Sequence, residues 1–199
     1  MKESNYSGNF IVIEGPDGAG TTTQAEKLAE ALDAHYTREP TDMRTGQKVQ
    51  RLISSEDSDT LDVAEAFAED RKNHLDEEVI PRLENGETVV SDRYYHSSLT
   101  YQPVMGADLE EVKEMNKEFL KPDLTLILEV DPEIGMSRVD DRGEDGHVFE
   151  QLSFQEKVSR KYGELDELLD EKLVYIDSTK EIEEVFDDVL SATTERLGF

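Results

Sequence analysis

Short apolar runs alternate along the chain with longer segments whose apolar residues recur at helical spacing. The first run, Phe10–Glu14, is followed by such a segment over residues 25–32 and then by a second run, His35–Arg38. This order is typical of a β-α-β unit, in which a helix joins two strands. The start of the chain is therefore predicted to contribute two strands to one sheet.

Three further strands are predicted over residues 88–91, 124–130 and 173–176. Each follows a plausible helix, the longest of which covers residues 61–83. One apolar face marks the last helix and is formed by Ile182, Val185, Phe186, Val189 and Leu190. This alternation predicts an α/β fold, with a mainly parallel sheet of about five strands and helices on both faces.

The length of 199 residues suits one compact domain, residues 1–199, with a substantial core. Glycine and aspartate cluster over residues 140–146, and a helix is expected on each side. A mobile lid near residues 138–150 and an ordinary surface loop would both have this composition. The pattern alone leaves both alternatives open.

The chain is strongly acidic, with 48 Asp and Glu against 21 Lys and Arg and a formal net charge of −27. No basic cluster offsets this charge, so binding to nucleic acids or anionic membranes is not expected. High charge with low hydrophobicity also marks disordered chains, but the apolar runs favour a folded protein. A self-repelling surface is tolerable in concentrated salt, because 1 M salt shortens the Debye length to about 3 Å. We therefore expect the protein to come from a halophilic, archaeal cytoplasm.

The sequence contains no cysteine, which excludes disulfides and fits the cytoplasm. No segment approaches the length of a membrane span, and the polar start lacks the apolar stretch of a signal peptide. The histidines at positions 35, 74, 96 and 147 lack the spacing of metal ligands, so no zinc site is expected.

A glycine-rich segment lies between the first predicted strand and the first predicted helix. It consists of Gly15, Pro16, Asp17, Gly18, Ala19, Gly20, Thr21, Thr22 and Thr23. The P-loop pattern requires Gly, four residues, Gly, Lys and then Ser or Thr in this strand-loop-helix setting. Glycines let backbone N–H groups turn towards phosphate oxygens, and the helix N-terminus favours an anion. The segment is therefore predicted to bind the phosphates of ATP, with Mg²⁺ at the hydroxyl of Thr22.

One residue departs from this pattern, because Thr21 stands where the P-loop has lysine. A hydroxyl cannot supply the positive charge that normally reaches the β- and γ-phosphates. A glycine-rich turn without function competes with phosphate binding if the loop is taken alone. The strand-loop-helix context favours phosphate binding and leaves the source of the missing charge as the open question.

A second polar motif, Asp92, Arg93 and Tyr94, follows the strand predicted over residues 88–91. Open α/β sheets bind ligands at the carboxyl ends of their strands, where this motif falls. Asp92 is suited to hold Mg²⁺ through water, and the guanidinium of Arg93 is suited to grip a phosphate. The motif therefore adds a metal and phosphate site to the predicted loop.

The same motif is the main feature by which the chain resembles thymidylate kinases. Their signature is Asp-Arg-Tyr followed by serine and then an aromatic residue, here Tyr101, although Thr100 replaces a small apolar residue usual in the family. Further similar blocks follow in the family's order at residues 10–15, 37–40, 70–71, 122–125 and 130–132. The resemblance implies a P-loop NTPase-type fold and transfer of the γ-phosphate of ATP to dTMP, with Mg²⁺ as cofactor.

The resemblance also implies an acceptor site. The residues expected to contact dTMP are Asp17, Glu39, Pro40, Phe67, Arg71, Arg93 and Tyr101. Among them, Asp17 would contact the sugar, Arg71 and Arg93 the base edge and the phosphate, and Phe67 the thymine ring, while the Glu-Pro pair would line the monophosphate pocket. Members of the family are typically homodimers, with the helix predicted over residues 61–83 at the interface.

Arg71 falls on the apolar stripe of that helix, together with Phe67 and Leu75. A charge on an apolar stripe is costly unless it is paired. Either a salt bridge to the acid-rich surface or a bound substrate would pair with the guanidinium of Arg71. The resemblance favours the substrate. His74, on the same helix, is expected to serve packing or hydrogen bonding rather than catalysis.

Thymidylate kinases take a catalytic arginine either from the P-loop or from the lid. Gly18 occupies the position of the loop arginine, so the resemblance implies the lid type. Arg138 and Arg142 are spaced i, i+4 and would share one helix face over the phosphates. Pairing of either arginine with nearby carboxylates is the alternative that the sequence leaves open. The predicted catalytic set is Arg93, Arg138, Arg142 and Asp92. A lid arginine or a monovalent cation would then supply the charge that Thr21 lacks.

Two other functions stay open. A nucleotide-binding protein that has lost catalysis, with a regulatory or scaffold role, would explain the missing lysine. A related kinase would instead phosphorylate dUMP, another nucleoside monophosphate or a nucleoside, although Arg71 and Arg93 together favour a monophosphate.

Overall fold

The computed structural model describes residue 1 and residues 5–55, 57–140 and 148–199. Within these residues the strands are β1 (Phe10–Glu14), β2 (His35–Arg38), β3 (Val89–Asp92), β4 (Leu124–Glu129) and β5 (Leu173–Asp177). They form one sheet in the order β2-β3-β1-β4-β5, and every neighbouring pair is parallel. The predicted α/β fold is confirmed, and each predicted strand agrees with the observed one to within one residue at either end.

Helices connect the strands. They are α1 (Thr21–Leu32), α2 (Arg44–Ile53), α3 (Thr60–His74), α4 (Ile80–Glu84), α5 (Tyr95–Val104), α6 (Leu109–Asn116), α7 (Pro132–Asp140), α8 (Val148–Gly163), α9 (Leu165–Leu168) and α10 (Ile182–Leu197). The helices predicted on either side of the glycine and aspartate cluster correspond to α7 and α8. Across the described ranges, no helix combines the length and the apolar character needed to cross a bilayer.

The helix predicted over residues 61–83 corresponds to a continuous helical segment, Thr60–Glu84, although this segment is not a regular α-helix throughout. A π-helical turn, Leu75–Val79, separates α3 from α4, and the N–H of Ile80 donates to the carbonyl oxygen of Leu75, five residues back. Pro81 follows at the start of α4. Because proline lacks an N–H and its ring crowds the carbonyl four residues earlier, it disfavours a regular α-helix at this point, and the wider π-helical turn accommodates it.

The sheet is covered on both faces, as the continuous apolar strands predict. Along β1 the side chains alternate: Phe10 and Val12 pack into one core with residues of α3, α5 and α8, while Ile11 and Ile13 pack into a second core with α1 and α10. All four side chains are fully buried. This burial holds the carboxyl end of β1 in a fixed position at the centre of the sheet.

The order of the strands changes direction at β1, which has β3 on one side and β4 on the other. Ile13 is in register with Asp92, and Arg38 of β2 is in register with Asp92 as well. The carboxyl ends of three neighbouring strands therefore meet beside the segment that follows β1. In open α/β sheets this is the place where ligands bind.

Candidate active site

The glycine-rich segment forms a tight loop between β1 and α1. Gly18 and Gly20 have left-handed backbones, with φ of 78° and 90°. A Cβ atom at Gly18 would lie 2.1 Å from the carbonyl oxygen of Gly135, so the loop packs directly against α7. Because α1 begins at Thr21, the unpaired N–H groups of its first turn lie at the end of the loop. This is the strand-loop-helix setting that the sequence predicts.

Thr22 and Asp92 meet at the start of α1. The hydroxyl of Thr22 donates to Asp92 Oδ2 over 2.5 Å. Asp92 is 6% exposed, and its second oxygen, Oδ1, is buried without a hydrogen-bond partner in the described part of the chain. A buried carboxylate oxygen without a donor is suited to a cation or to water held by one. The two residues predicted to bind Mg²⁺ are therefore adjacent.

Arg93 follows β3 with a left-handed backbone, at φ 71°. This conformation is unfavourable for a residue with a Cβ atom and persists where the surroundings enforce it. Its Nη1 donates to the carbonyl oxygen of Gly15 and to Ser97 Oγ, both over 3.0 Å, and its Nη2 donates to Asp17 Oδ1 over 3.0 Å. The guanidinium thus bridges the glycine-rich loop and α5.

The charge of Arg93 is secured by its neighbours. Burial acts to lower the pKa of the guanidinium, but the neighbouring Tyr101 and Tyr162 and the carboxylates of Asp17 and Glu14 more than offset it, so the pKa lies well above its ordinary value. The guanidinium carbon also lies 5.4 Å from the centre of the Tyr101 ring. Arg93 therefore presents a permanent positive charge next to the loop.

Asp17 joins the loop to two helices. Its carboxylate accepts hydrogen bonds from Tyr101 of α5 over 2.8 Å and from Gln155 Nε2 of α8 over 2.6 Å, besides the bond from Arg93. Burial raises the pKa of the Tyr101 hydroxyl far above its ordinary value despite the opposing effect of Arg93, so the hydroxyl remains a donor. The loop carboxylate is consequently held in one orientation.

A cavity of about 460 Å³ opens beside this carboxylate. Every residue predicted to contact the acceptor lines it: Asp17, Glu39, Pro40, Phe67, Arg71, Arg93 and Tyr101. Ser98 and Gln102 of α5 and Phe154 of α8 complete part of its wall. Aromatic rings and two arginines therefore meet in one space that ends at the loop.

Arg71 is 1% exposed and lies in the wall of this cavity. Its Nε and Nη2 lie 2.9 and 2.7 Å from Glu39 Oε2, its Nη1 donates to Asn116 Oδ1 over 2.5 Å, and its Nη2 donates to Ser98 Oγ over 3.2 Å. The salt bridge considered from the sequence exists, but with a buried glutamate of the cavity rather than with surface acid. The guanidinium also lies within 5.3 Å of the centre of the Tyr94 ring.

Arg138 of α7 also contacts the glycine-rich loop. Its Nη1 donates to the carbonyl oxygens of Gly18, over 3.2 Å, and Ser178, over 3.0 Å. Arg142 falls outside the described residues, so its predicted place on the same helix face as Arg138 stays a prediction.

Several residues of the site carry no assignment from the sequence. Glu14 is fully buried and accepts hydrogen bonds from the backbone N–H groups of Tyr94 and Ser97 at the start of α5, from Ser97 Oγ and from the Tyr162 hydroxyl. The sequence does carry a signal for Glu14, because a glutamate at the end of a buried apolar strand needs hydrogen-bond donors around its carboxylate. Gln102 is 2% exposed, with its Oε1 unpartnered among the described residues, and it gave no comparable signal.

Comparisons with known proteins agree with this geometry. The family model described as thymidylate kinase matches residues 13–189. A probable thymidylate kinase of Staphylothermus marinus is 38% identical over 205 aligned positions, which cover 100% of each chain. The chain belongs to the thymidylate kinase family. Probable thymidylate kinases of Archaeoglobus fulgidus and Methanocaldococcus jannaschii are also 38% identical, over 90% and 91% of this chain and 92% and 93% of their own.

Membership of the thymidylate kinase family confirms the resemblance drawn from the Asp-Arg-Tyr block. It makes the chain an enzyme of the phosphotransferase class. The family match spans the glycine-rich loop, the cavity and Arg138. The departure at Thr21 therefore occurs inside the matched region.

Proposed function

We propose that this protein transfers the γ-phosphoryl group of ATP to dTMP, giving ADP and dTDP. The observation that carries the proposal is the cavity of about 460 Å³, because all the residues expected to contact the acceptor line it together. The cavity ends at Asp17 and Arg93, which belong to or contact the glycine-rich loop. Donor and acceptor sites would thus be adjacent, as transfer requires.

The acceptor site suits a pyrimidine deoxynucleoside monophosphate. Phe67 and Phe154 offer apolar faces to a planar base, and the buried Oε1 of Gln102 is free to accept an N–H from its edge. Arg71 and Arg93 would hold the base edge and the phosphate of the acceptor, with the guanidinium of Arg93 supplying the charge that the phosphate needs. The Tyr101 hydroxyl, bonded to Asp17, would stand beside the sugar.

The donor site would consist of residues 15–23. Backbone N–H groups of the loop and of the first turn of α1 would hold the phosphates of ATP. Asp92, with its unpartnered Oδ1, and the hydroxyl of Thr22 would hold a magnesium ion, either directly or through water. When bound, Mg²⁺ would neutralise charge on the transferring phosphoryl group.

Arg138 would supply the charge that Thr21 lacks. It already lies against the loop at Gly18, and its present partners are two carbonyl oxygens. A guanidinium binds an anionic phosphate oxygen more strongly than a neutral carbonyl oxygen. Arg138 would therefore bind a phosphate of ATP in preference to these two carbonyl oxygens. Arg142 is proposed to assist it from the same lid.

Alignment and charge neutralisation would supply most of the catalysis, since phosphoryl transfer needs little covalent chemistry from the protein. Arg93 would hold the acceptor phosphate in line with the γ-phosphate, because it is itself fixed by Gly15, Ser97 and Asp17. Closure of a lid near residues 138–150 would exclude water and suppress hydrolysis of ATP.

Three further features belong to the proposal. The chain would form one kinase domain, work as a homodimer through the helical region of residues 61–83, and reside in a salty archaeal cytoplasm. The net charge of −27 supports the last point, because concentrated salt screens the repulsion that such a surface carries.

An acceptor panel tests the function. Release of ADP from ATP would be measured at high KCl with dTMP, dUMP, dCMP, dGMP and thymidine as separate acceptors. We expect dTMP to give the highest kcat/KM and thymidine to give none. An equal or higher value for another acceptor would reassign the substrate, and release of ADP independent of any acceptor would contradict the proposal.

A further inference from the structure

Four polar side chains are linked by hydrogen bonds in and behind the wall of the acceptor cavity. The hydroxyl of Thr37 lies 2.7 Å from His74 Nε2, and His74 Nδ1 lies 3.0 Å from Glu39 Oε1. The other carboxylate oxygen, Glu39 Oε2, lies 2.7 Å from Arg71 Nη2. These hydrogen bonds therefore link β2 to an arginine that borders the cavity.

The chemistry of these groups fixes the proton on one ring nitrogen. A carboxylate in a salt bridge with arginine only accepts hydrogen bonds, so the contact with Glu39 requires a proton on His74 Nδ1. The Thr37 hydroxyl can either donate or accept, so it satisfies His74 Nε2 in either state of the ring. The imidazole thus holds Glu39 whether His74 is neutral or charged.

Glu39 depends on both of its partners. Its side chain is 2% exposed, with one oxygen occupied by Arg71 and the other by His74, which is itself fully buried. Without the donor from His74, Glu39 Oε1 would be a buried anionic oxygen lacking a hydrogen bond. The carboxylate would rotate towards other donors, and the guanidinium of Arg71 would turn with it.

We propose that His74 is a positioning residue for the acceptor nucleotide, which acts by holding Glu39 so that Arg71 faces the cavity in one orientation. This inference rests on the proposed function for the identity of the nucleotide, but the orientation of Arg71 can be observed without any substrate. His74 itself is absent from the cavity lining. Its effect on the nucleotide is therefore indirect.

Two substitutions of nearly equal shape isolate the Nδ1 hydrogen bond. The side-chain nitrogen of asparagine occupies the position of histidine Nδ1, so His74→Asn keeps a donor towards Glu39, whereas His74→Leu removes it. His96→Leu serves as the matched control, because His96 is also fully buried on a helix and also bonded to a glutamate, Glu171, at 2.9 Å. Unlike Glu39, however, Glu171 does not line the cavity. The control reports the general cost of losing a buried histidine.

The first readout is the ¹H–¹⁵N resonance of Arg71 Nε, assigned by its loss in Arg71→Lys. We expect its hydrogen exchange to accelerate at least about tenfold in His74→Leu and to stay close to wild type in His74→Asn and His96→Leu. Unchanged exchange in His74→Leu would overturn the inference. Equal acceleration in His74→Leu and His96→Leu would also overturn it, since the effect would then be general loosening.

The second readout is steady-state kinetics with dTMP and ATP. We expect His74→Leu to raise the KM for dTMP about tenfold while the KM for ATP changes less than about twofold, and His74→Asn to restore most of the loss. Parallel changes in both KM values would contradict a positioning role. Absence of dTDP formation by the wild type would refute the proposed function instead, and the resonance of Arg71 would still decide the role of His74.

Discussion

The Nη1 of Arg138 donates a hydrogen bond to the carbonyl oxygen of Gly18 over 3.2 Å. A guanidinium from α7 therefore lies against the glycine-rich loop in which Thr21 replaces lysine. At the first residue of the loop, Arg93 donates to the carbonyl oxygen of Gly15 over 3.0 Å. Two arginines thus contact a loop that carries no cation at its usual lysine position.

Replacement of Arg138 by methionine is expected to lower kcat about 100-fold or more, because the variant loses a charged donor at the transferring phosphoryl group. The dissociation constant for dTMP should change little, since Arg138 lies outside the acceptor cavity. Single-turnover transfer and dTMP titration measure the two effects. Arg196→Met, at the end of α10, is the control for loss of a surface arginine. A kcat for Arg138→Met within a few-fold of wild type would remove Arg138 as the source of the missing charge.

Asp92 is expected to govern the requirement for Mg²⁺. Asp92→Asn keeps the shape of the side chain but removes the negative charge, so the Mg²⁺ concentration at half-maximal activity should rise about 10- to 100-fold. A magnesium titration at saturating ATP and dTMP measures the shift. Asp187→Asn, an exposed substitution on α10, is the control for loss of one acidic charge. An unchanged magnesium profile in Asp92→Asn would show that this carboxylate does not serve the metal.

Two glycines of the same loop should respond differently to alanine. At Gly18 the added Cβ would lie 2.1 Å from the carbonyl oxygen of Gly135, so Gly18→Ala must displace the loop and should sharply weaken ATP binding. At Gly20 the Cβ would meet nothing within 4 Å, and the cost is limited to the left-handed backbone, about 1–2 kcal/mol. Titration with a non-hydrolysable ATP analogue and thermal unfolding separate the two variants. Equal ATP affinities would contradict the close packing of the loop on α7.

Stability is expected to depend on salt. With a net charge of −27, the acidic side chains of the folded protein repel one another, and KCl screens this repulsion. Each kcal/mol that screening adds to the free energy of unfolding should raise the unfolding temperature by about 2–4 °C. Thermal unfolding at 0.2 M and 3 M KCl would measure the effect, with an equal-osmolality sucrose solution as the uncharged comparison. A transition at the same temperature in both salt solutions would argue against a halophilic protein.

The strands and the loop could be predicted from the sequence because their signals are local. Apolar runs such as Phe10–Glu14 are continuous since both faces of the sheet are covered, and the glycine spacing identifies the loop that follows. The acceptor residues were placed by resemblance to a family, and the cavity brings all of them together. Periodicity alone would have indicated only that Arg71 lies on an apolar stripe.

The contributions of α8 could not be predicted in this way. Gln155 bonds to Asp17, 138 residues away in sequence, and Tyr162 bonds to Glu14, 148 residues away. No local pattern encodes such contacts, because they depend on how the helix packs over the sheet. The π-helical turn before Pro81 could not be predicted for a related reason. One extra residue in a helical turn barely changes the spacing of apolar residues, so periodicity does not reveal it. The proline is the only local sign that the backbone changes at this point.

The central claim is that the protein transfers phosphate to dTMP although Thr21 replaces the P-loop lysine. The most direct test is the formation of labelled dTDP from γ-labelled ATP and dTMP by wild type and by Thr21→Lys, across a range of KCl concentrations. We expect wild type to form dTDP, with transfer that depends on dTMP and on Arg138. If wild type forms no dTDP at any KCl concentration while Thr21→Lys does, the loop is impaired by its threonine and the claim is wrong.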